Sequence, residues 1–232
     1  MLNPASDILE LIYPNRCAAC GGNVSESEGP ICYACRTDLP IVFSNPFSNH
    51  PELTKKFEGL LPLKHTIAFL KFSKGGSTQR LLHGLKYGRR PEIGVVLGKI
   101  LGHQIRNAGF ADHFDLILPI PLHTKKLKTR GYNQSMALAE GLAHSLRSLA
   151  DDSILIRMKA TETQTRKGKL ERILNVSEVF GINPEKRDQL AGKRILLVDD
   201  VITTGSTMEA CGKIMLQEPL KSLSIATLAL AR

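Results

Sequence analysis

The sequence predicts an α/β fold in which a parallel sheet is flanked by helices. Segments with strand-like and helical spacing of apolar residues alternate along most of the chain. Aromatic residues make up 5% of the chain and tryptophan is absent, so small aliphatic side chains must build the core. Such a core suits a sheet covered by helices, and the alternation favours parallel strands joined by right-handed crossovers.

The predicted elements follow in order. Strand-like patterns cover 66–72, 115–120, 194–198 and 222–230, and the pattern at 176–181 allows a further strand. Helical patterns cover 77–87, 92–108, 132–149 and 206–217. Residues 40–62 contain four prolines and hold neither period for long, so we expect a connection there. The predicted division is a small module with its connection at 1–62 and a main domain at 63–232.

Charge is unevenly distributed. The 232 residues carry 31 lysines and arginines against 22 acids, a net charge of +9. Between 59 and 91 there is no acid, but there are seven basic residues: Lys64, Lys71, Lys74, Arg80, Lys86, Arg89 and Arg90. Such a field attracts polyanions, although a basic run can also be a solvated face. Neither a long apolar run nor a secretory signal is visible, so we expect a cytoplasmic protein without a transmembrane segment.

Four cysteines form two closely spaced pairs near the amino terminus. Cys17 and Cys20 make the first pair, and Cys32 and Cys35 make the second, eleven residues later. Each pair can present two thiolates from one tight turn, and four thiolates complete the tetrahedral shell of a structural zinc ion. Two disulfides are the alternative, which the missing secretory signal disfavours. The fifth cysteine, Cys211, has apolar helical spacing and is expected in the core.

One run carries the chemistry. The aliphatic run from Ile195 to Val198 predicts a buried strand, and Asp199 and Asp200 are expected at its end, where both can approach one ligand. After Val201 and Ile202, five residues lead into a helix and combine hydroxyls, backbone N–H groups and a glycine: Thr203, Thr204, Gly205, Ser206 and Thr207. This combination predicts a phosphate site. The alternative is a strand end and a helix cap, which explains one or two positions of the run.

The whole run resembles the signature with which type I phosphoribosyltransferases bind 5-phosphoribosyl-1-pyrophosphate (PRPP). The resemblance implies that Asp199 and Asp200 hold the ribose hydroxyls, while Thr203 to Thr207 hold the 5'-phosphate. Further segments make the chain similar to the ComF family, which combines a four-cysteine zinc site with such a domain: Leu118-Pro119-Ile120-Pro121-Leu122, Arg130-Gly131-Tyr132-Asn133-Gln134 and Leu85-Lys86-Tyr87-Gly88. This likeness covers essentially the whole chain.

The resemblance also implies the remaining parts of a catalytic site. The pyrophosphate would be held by the basic run after the second predicted strand and by Gly131; the run contains Lys125, Lys126, Lys128 and Arg130. The segment 158–176 takes the place of a mobile loop that closes over the substrate, with Arg166 and Lys167 as candidate catalytic residues at its tip. An enzyme of this kind transfers phosphoribosyl from PRPP with Mg²⁺ as cofactor, and the residues leave the acceptor open.

ComF proteins are associated with DNA uptake and the use of imported DNA, so a second function is implied. The chain would then be a single-stranded-DNA-binding module or a PRPP sensor, with a helicase or translocase of the uptake machinery as partner. Candidate DNA contacts lie in the basic stretch: Lys71, Lys74, Lys86, Tyr87, Arg89 and Arg90. The aromatic residues of this stretch alternate with apolar ones and are equally compatible with burial.

Overall fold

A computed structural model describes residues 15–42, 49–158 and 179–231. Within them, a five-stranded sheet has the order β1-β7-β6-β2-β3, and all its pairs are parallel. The strands of this sheet are β1 (Thr66–Leu70), β2 (Leu116–Pro119), β3 (Leu149–Ala150), β6 (Arg194–Ile202) and β7 (Ser222–Leu230). Strands β4 (Leu155–Arg157) and β5 (Phe180–Ile182) form a separate antiparallel pair. The predicted parallel α/β fold is confirmed.

Seven α-helices connect or flank these strands in the described part of the chain: α1 (Tyr33–Thr37), α2 (Pro51–Phe57), α3 (Ser77–Tyr87), α4 (Pro91–Asn107), α5 (Thr124–Arg130), α6 (Gln134–Leu146) and α7 (Ser206–Met215). A 3-10 helix, Pro184–Leu190, precedes β6. No helix in the described ranges is long and apolar enough to cross a membrane.

Two apolar layers enclose the sheet. Side chains of α3, α4 and α6 cover one face, whereas α2 and α7 cover the other. Cys211 of α7 lies in the second layer with no exposed surface, as predicted for a core residue. The fully buried aliphatic residues of β6 divide between the two layers, with Leu196 and Val198 on one side and Ile195 and Leu197 on the other. Burial on both faces is what a continuous aliphatic run in a central parallel strand indicates.

Helices α4 and α6 are packed backbone to backbone. A Cβ on Gly98 would lie 2.3 Å from the carbonyl oxygen of Leu138, and one on Gly141 would lie 2.2 Å from that of Val95. Real side-chain carbons do not approach carbonyl oxygens this closely, so both positions require glycine. The small residues therefore fix the distance between the two helices.

The prediction that 40–62 is only a connection is wrong for Pro51–Phe57, which forms α2. Pro51 occupies the first turn of this helix, where its missing N–H costs nothing, and the His50 ring accepts a hydrogen bond from Leu53 N at 3.3 Å. Leu53 and Phe57 are buried, with 0% and 2% exposure. Seven residues are too few to show a convincing helical period, and the proline suggested a break.

The four-cysteine module packs directly on the main domain. Cys17, Ala19 and Ile31 belong to the same apolar layer as the α3 side chains. Arg80 of α3 donates a hydrogen bond to the carbonyl oxygen of Ala19. The chain that leaves the module runs beside β1, where Lys71 N donates to the carbonyl oxygen of Pro40 at 2.8 Å. The division of the chain at residue 62 remains a prediction.

Candidate functional site

A cleft of about 280 Å³ opens beyond the carboxyl ends of β2 and β6. Open parallel sheets bind their ligands at this edge. Its walls come from α3, the segment after β2, α5, the start of α6, β4 and β6, through residues that include Lys86, His123, Lys126, Arg130, Gln134, Ser135, Arg157, Asp199, Asp200, Thr203 and Thr207. The cleft therefore joins two carboxylates, four basic side chains and several hydroxyl and amide groups.

Asp199 and Asp200 both line this cleft, although they lie within β6 and not after its end. Strand β6 continues to Ile202, four residues beyond Val198, so the expected strand end is corrected. Ser135 Oγ donates a hydrogen bond to Asp199 Oδ1 at 2.9 Å, and Lys86 Nζ lies 3.1 Å from Asp200 Oδ2. Both partners come from the helical layer of α3 and α6. The two carboxylates consequently face one ligand space from consecutive positions.

The charge of this pair is only partly compensated. Burial, followed by repulsion from Asp200, raises the pKa of Asp199 to about 7, against the lowering effects of Ser135, the Asp200 N–H and Lys86. Asp200 Oδ2 is buried and accepts no hydrogen bond, so its contact with Lys86 is an ion pair without hydrogen-bond geometry. Buried carboxylate oxygens in this condition favour a ligand that brings hydroxyl donors or a cation.

The loop after β6 has the local geometry of an anion site. Gly205 has φ +88°, a left-handed conformation that side chains disfavour, and Ser206 begins α7. Ser206 N donates to Thr204 Oγ1 at 3.4 Å, and the Thr204 and Ser206 hydroxyl oxygens are 3.1 Å apart. A small cavity of about 40 Å³ is lined by residues 201–208 together with Asp199. Hydroxyls, N–H groups and the positive end of α7 thus surround one small volume.

The basic segment after β2 forms helix α5, and only some of its basic side chains line the cleft. Lys126 and Arg130, four residues apart on one helical face, line the cleft. Lys125 and Lys128 are exposed on α5 and are not among the residues that line it. Gly131 ends the helix with φ +83°, and its N–H donates to the carbonyl oxygen of Leu127 at 2.8 Å. Sequence reasoning assigned Lys125 and Lys128 without knowing which face of a helix they occupy.

Several cleft residues were missed by the sequence reasoning. Ser135 and Gln134 lie at the start of α6, and Arg157 comes from β4, so none belongs to the motif that identified the site. Only the cluster of basic residues gave a signal for Lys126. The candidate loop residues Arg166 and Lys167 lie outside the described residues.

The six candidate DNA contacts are in three different situations. Lys86 is held in the cleft by Asp200, and Arg90 Nε lies 3.0 Å from Glu92 Oε1. Tyr87 is 66% exposed beside the cleft, with the Arg130 guanidinium 5.4 Å from its ring centroid. Exposed Arg89 follows it along the chain, while exposed Lys71 and Lys74 line a separate cavity of about 760 Å³. Lys71 and Lys74 therefore line a different cavity from Lys86, and the role of the six residues in DNA binding remains a prediction.

The aromatic residues of this basic stretch, Phe69 and Phe72, were predicted either to stack on bases or to be buried. Phe69 is buried in β1 with 1% exposure, and half-buried Phe72 lines the 760 Å³ cavity. For Phe69, the alternative of simple burial is therefore confirmed.

The four cysteines of the amino-terminal module form one cluster. The sulfur atoms of Cys17, Cys20, Cys32 and Cys35 all lie within 4.8 Å of one another. Zinc–sulfur bonds of about 2.3 Å in a tetrahedron place sulfurs about 3.8 Å apart, and the Cys20 and Cys32 sulfurs are 4.0 Å apart. The donor set and the spacing therefore fit a structural zinc site, with all four positions of the metal filled by protein.

Backbone N–H groups stabilise thiolate in this cluster. Cys17 Sγ accepts hydrogen bonds from Cys32 N at 3.3 Å and from Ala19 N at 3.4 Å. Burial raises the pKa of Cys17, but hydrogen bonds from the backbone of Cys32, Cys20 and Ala19 outweigh it and lower the pKa to about 6. A thiol that ionises this readily is prepared to bind a metal.

Comparison with protein families first defines the class. Residues 131–232 match the phosphoribosyl transferase domain, and residues 8–47 match the double zinc ribbon domain. Together with the parallel sheet and the four-cysteine cluster, these matches define a phosphoribosyltransferase-like protein with an amino-terminal zinc ribbon.

Sequence comparison also finds individual relatives of this chain. The chain is 26% identical over 234 residues to competence protein F of Haemophilus influenzae, covering 93% of this chain and 97% of the relative. It is 32% identical over 123 residues to competence protein ComFC of Bacillus subtilis, covering 53% and 47%. It is 30% identical over 148 residues to DNA utilization protein YhgH of Salmonella typhi, covering 62% of this chain and 63% of that relative's length. The chain is therefore similar to competence protein F over nearly its whole length and to the other two relatives over part of theirs.

Solved structures give weaker similarities. One described as the allosteric regulatory enzyme of purine biosynthesis covers 62% of this chain and 29% of its own, with 16% identity and a TM-score of 0.43. Glutamine PRPP amidotransferase from B. subtilis covers 62% and 30%, with 17% identity and a TM-score of 0.42.

Proposed function

We propose that the cleft binds PRPP, with the ribose hydroxyls on Asp199 and Asp200 and the 5'-phosphate in the loop Thr203 to Thr207. The observation that carries this proposal is the position of two incompletely compensated carboxylates, half-buried Asp199 and buried Asp200, shortly before a glycine-containing loop at a helix start. Ribose hydroxyls donate the hydrogen bonds that Asp200 Oδ2 lacks. The loop supplies the complementary donors for a phosphate.

The basic residues at the other side of the cleft take the pyrophosphate. Lys126 and Arg130 line this side, and Arg130 is positioned by a 2.7 Å hydrogen bond from its guanidinium to Gln134 Oε1. Lys125, Lys128 and Gly131 belong to the same segment and remain candidates for contacts with a larger ligand.

The reaction class that fits is phosphoribosyl transfer. The bond between the anomeric carbon and the pyrophosphate oxygen breaks, the pyrophosphate leaves with the electron pair, and the acceptor forms a bond to the same carbon. Bound Mg²⁺ would neutralise pyrophosphate charge. The chain's own residues orient the ribose, and the negative pair beneath it favours positive charge on the sugar. Arg166 and Lys167 are proposed to act on the leaving pyrophosphate.

We further propose that this activity or binding serves the uptake or use of DNA in the cytoplasm. The support comes from relatives named competence protein F, ComFC and DNA utilization protein. A helicase or translocase of the uptake machinery is the proposed protein partner.

The test is calorimetric titration of PRPP with and without Mg²⁺. The wild-type protein is compared with the double variant Asp199→Asn/Asp200→Asn, and Glu185→Gln/Asp188→Asn serves as the matched control. The control acids are exposed on the 3-10 helix before β6, so they remove the same charge away from the cleft. We expect Mg²⁺-dependent binding in the wild type and the control and its loss in the cleft variant. Equal binding by all three proteins would contradict the ribose assignment.

A second candidate function is binding of single-stranded DNA without catalysis. Tyr87 favours it, since an aromatic ring that is 66% exposed beside a guanidinium offers a surface for base stacking. Tyr87→Ala should then weaken oligonucleotide binding, and the affinity should fall steeply with salt. Oligonucleotide affinity that is independent of salt would exclude this mode of binding.

A further inference from the structure

The loop from Thr203 to Thr207, called the phosphate loop below, borders a second cavity on the side of α2. This cavity, of about 560 Å³, is lined by Glu52, Lys55, Lys56, Thr203, Thr204, Leu230 and Ala231. Thr203 also lines the PRPP cleft, and Thr204 also lines the small loop cavity. The loop therefore lies between the proposed ribose site and a separate space that contains two lysines.

Helix α2 is held firmly against this loop. Phe57 and Leu53 are buried in the apolar layer that also contains Met208 of α7. The hydroxyl oxygens of Thr54 and Thr66 are 2.6 Å apart, which links α2 to the start of β1. A Cβ on Gly205 would lie 3.0 Å from Lys56 Cδ and 3.1 Å from Phe57 Cζ. The lysines of α2 are thus presented beside the loop by a fixed element.

The charge of the cavity is net positive. Lys55 is exposed and Lys56 is half-buried, and Glu52 stands one helical turn before Lys56. Among the described residues, neither lysine has an ion pair, in contrast to Lys86, Lys186 and Lys213. Two cations beside one acid, next to threonine hydroxyls of a phosphate loop, form a site that attracts a further anion.

We propose that Lys55 and Lys56 bind a second phosphate that is linked to the ligand through its 5'-phosphate. The ligand class is then a ribose phosphate extended on its 5' side, either as a diphosphate or as a phosphodiester. This inference rests on the proposed function, because the first phosphate must occupy the loop. PRPP itself does not fill this site, since its pyrophosphate is attached at the anomeric carbon, on the other side of the sugar from the 5'-phosphate.

The experiment compares ligands that differ only on the 5' side. AMP, ADP and a dinucleotide with an adenosine 5'-phosphodiester are titrated into the full-length protein and into Lys55→Ala/Lys56→Ala. In the wild type, ADP or the dinucleotide should bind about tenfold more tightly than AMP, the gain expected from charge-assisted hydrogen bonds. The double variant should lose this advantage but retain its affinity for AMP.

Two further variants make the test specific. Lys193→Ala/Lys221→Ala removes the same charge from exposed positions before β6 and β7, at the opposite edge of the sheet, and should keep the advantage. Glu52→Gln removes the acid of the cavity and should increase the advantage. Tighter binding of ADP alone would show that the ligand is a 5'-diphosphate, and tighter binding of the dinucleotide alone would show that it is a 5'-phosphodiester. Tighter binding of both would show that the site recognises a second phosphate in either form.

The negative outcomes separate the two levels of the proposal. If AMP binds but neither extension improves its affinity, the second phosphate site is refuted and the proposed phosphate loop stands. If no ligand with a 5'-phosphate binds, PRPP included, the loop assignment fails and the inference fails with it. A gain that survives in Lys55→Ala/Lys56→Ala would also refute the role of these lysines.

Discussion

The replacement Asp199→Asn should stabilise the protein at alkaline pH while removing a proposed contact to ribose. Asp199 is half-buried next to Asp200, and its desolvation and the repulsion from Asp200 raise its pKa to about 7. The unfolded chain ionises it near the ordinary value of 3.8. Between these values the folded state binds the additional proton, so the contribution of Asp199 to stability falls as pH rises from 4 to 7.

The two pKa values set the magnitude. Relative to a side chain that does not titrate, Asp199 costs about 4 kcal/mol at pH 8, where it is ionised in both states, and roughly 2 kcal/mol at pH 5, where the folded protein holds it protonated. Asparagine carries no charge, and its side-chain oxygen can still accept the hydrogen bonds from Ser135 Oγ and Asp200 N that Asp199 Oδ1 accepts. The stability gained by Asp199→Asn should therefore be about 2–3 kcal/mol larger at pH 8 than at pH 5. For a chain of this length that is roughly 5–10 °C in midpoint temperature.

Thermal unfolding followed by circular dichroism at pH 5 and pH 8 provides the assay. The quantity to compare is the difference between variant and wild type at each pH, which cancels any pH effect on the zinc ribbon. Asp188→Asn, at an exposed position, is the control and should show the same small difference at both values. The reasoning is refuted if Asp199→Asn changes the midpoint equally at pH 5 and pH 8.

Three other predictions follow from local geometry. Asp115→Asn should destabilise the protein by about 1–2 kcal/mol at neutral pH, because Arg194 donates three hydrogen bonds to this carboxylate, two from its guanidinium at 2.7 and 3.0 Å and one from its backbone N–H at 2.8 Å, and lowers its pKa to about 2. Urea unfolding should show this difference shrinking as pH falls from 4 towards 2, and a constant difference would contradict it. Gly205→Ala should cost about 1–3 kcal/mol in unfolding experiments and weaken phosphate binding in calorimetry, since its φ is +88° and a Cβ would meet Lys56 and Phe57. Removal of zinc with a chelator, or Cys32→Ser, should lower the thermal midpoint, with one zinc per chain found by metal analysis before the treatment; a metal-free protein of unchanged stability would exclude a structural role.

The features that the sequence predicted correctly are local in the chain. The aliphatic strand, the loop from Thr203 to Thr207 and the following helix are consecutive, so one pattern contains all their chemistry. The two cysteine pairs are similarly short, and each pair specifies its own turn. Parallel pairing of the strands also follows from local periods, because alternating strands and helices leave few connections possible.

What could not be predicted depends on contacts between distant segments. Lys86 and Ser135 lie on different helices and meet the aspartate pair only because the sheet brings those helices together. The choice of Lys126 over Lys125 depends on the face that α5 presents, which a charge run does not reveal. Helix α2 could not be predicted from local periodicity. Its buried residues pack beside the loop from Thr203 to Thr207, which lies more than a hundred residues further along the chain.

The glycine contacts between α4 and α6 have a consequence for protein engineering. Ser135 reaches Asp199 from a helix whose distance to its neighbour is set by Gly98 and Gly141, with no side chain available to absorb a change. Transfer of the aspartate pair and its loop to another scaffold would therefore require this helix pair as well. The smallest transplantable unit of the site is a three-layer fragment, much larger than the ten-residue signature by which the site is recognised.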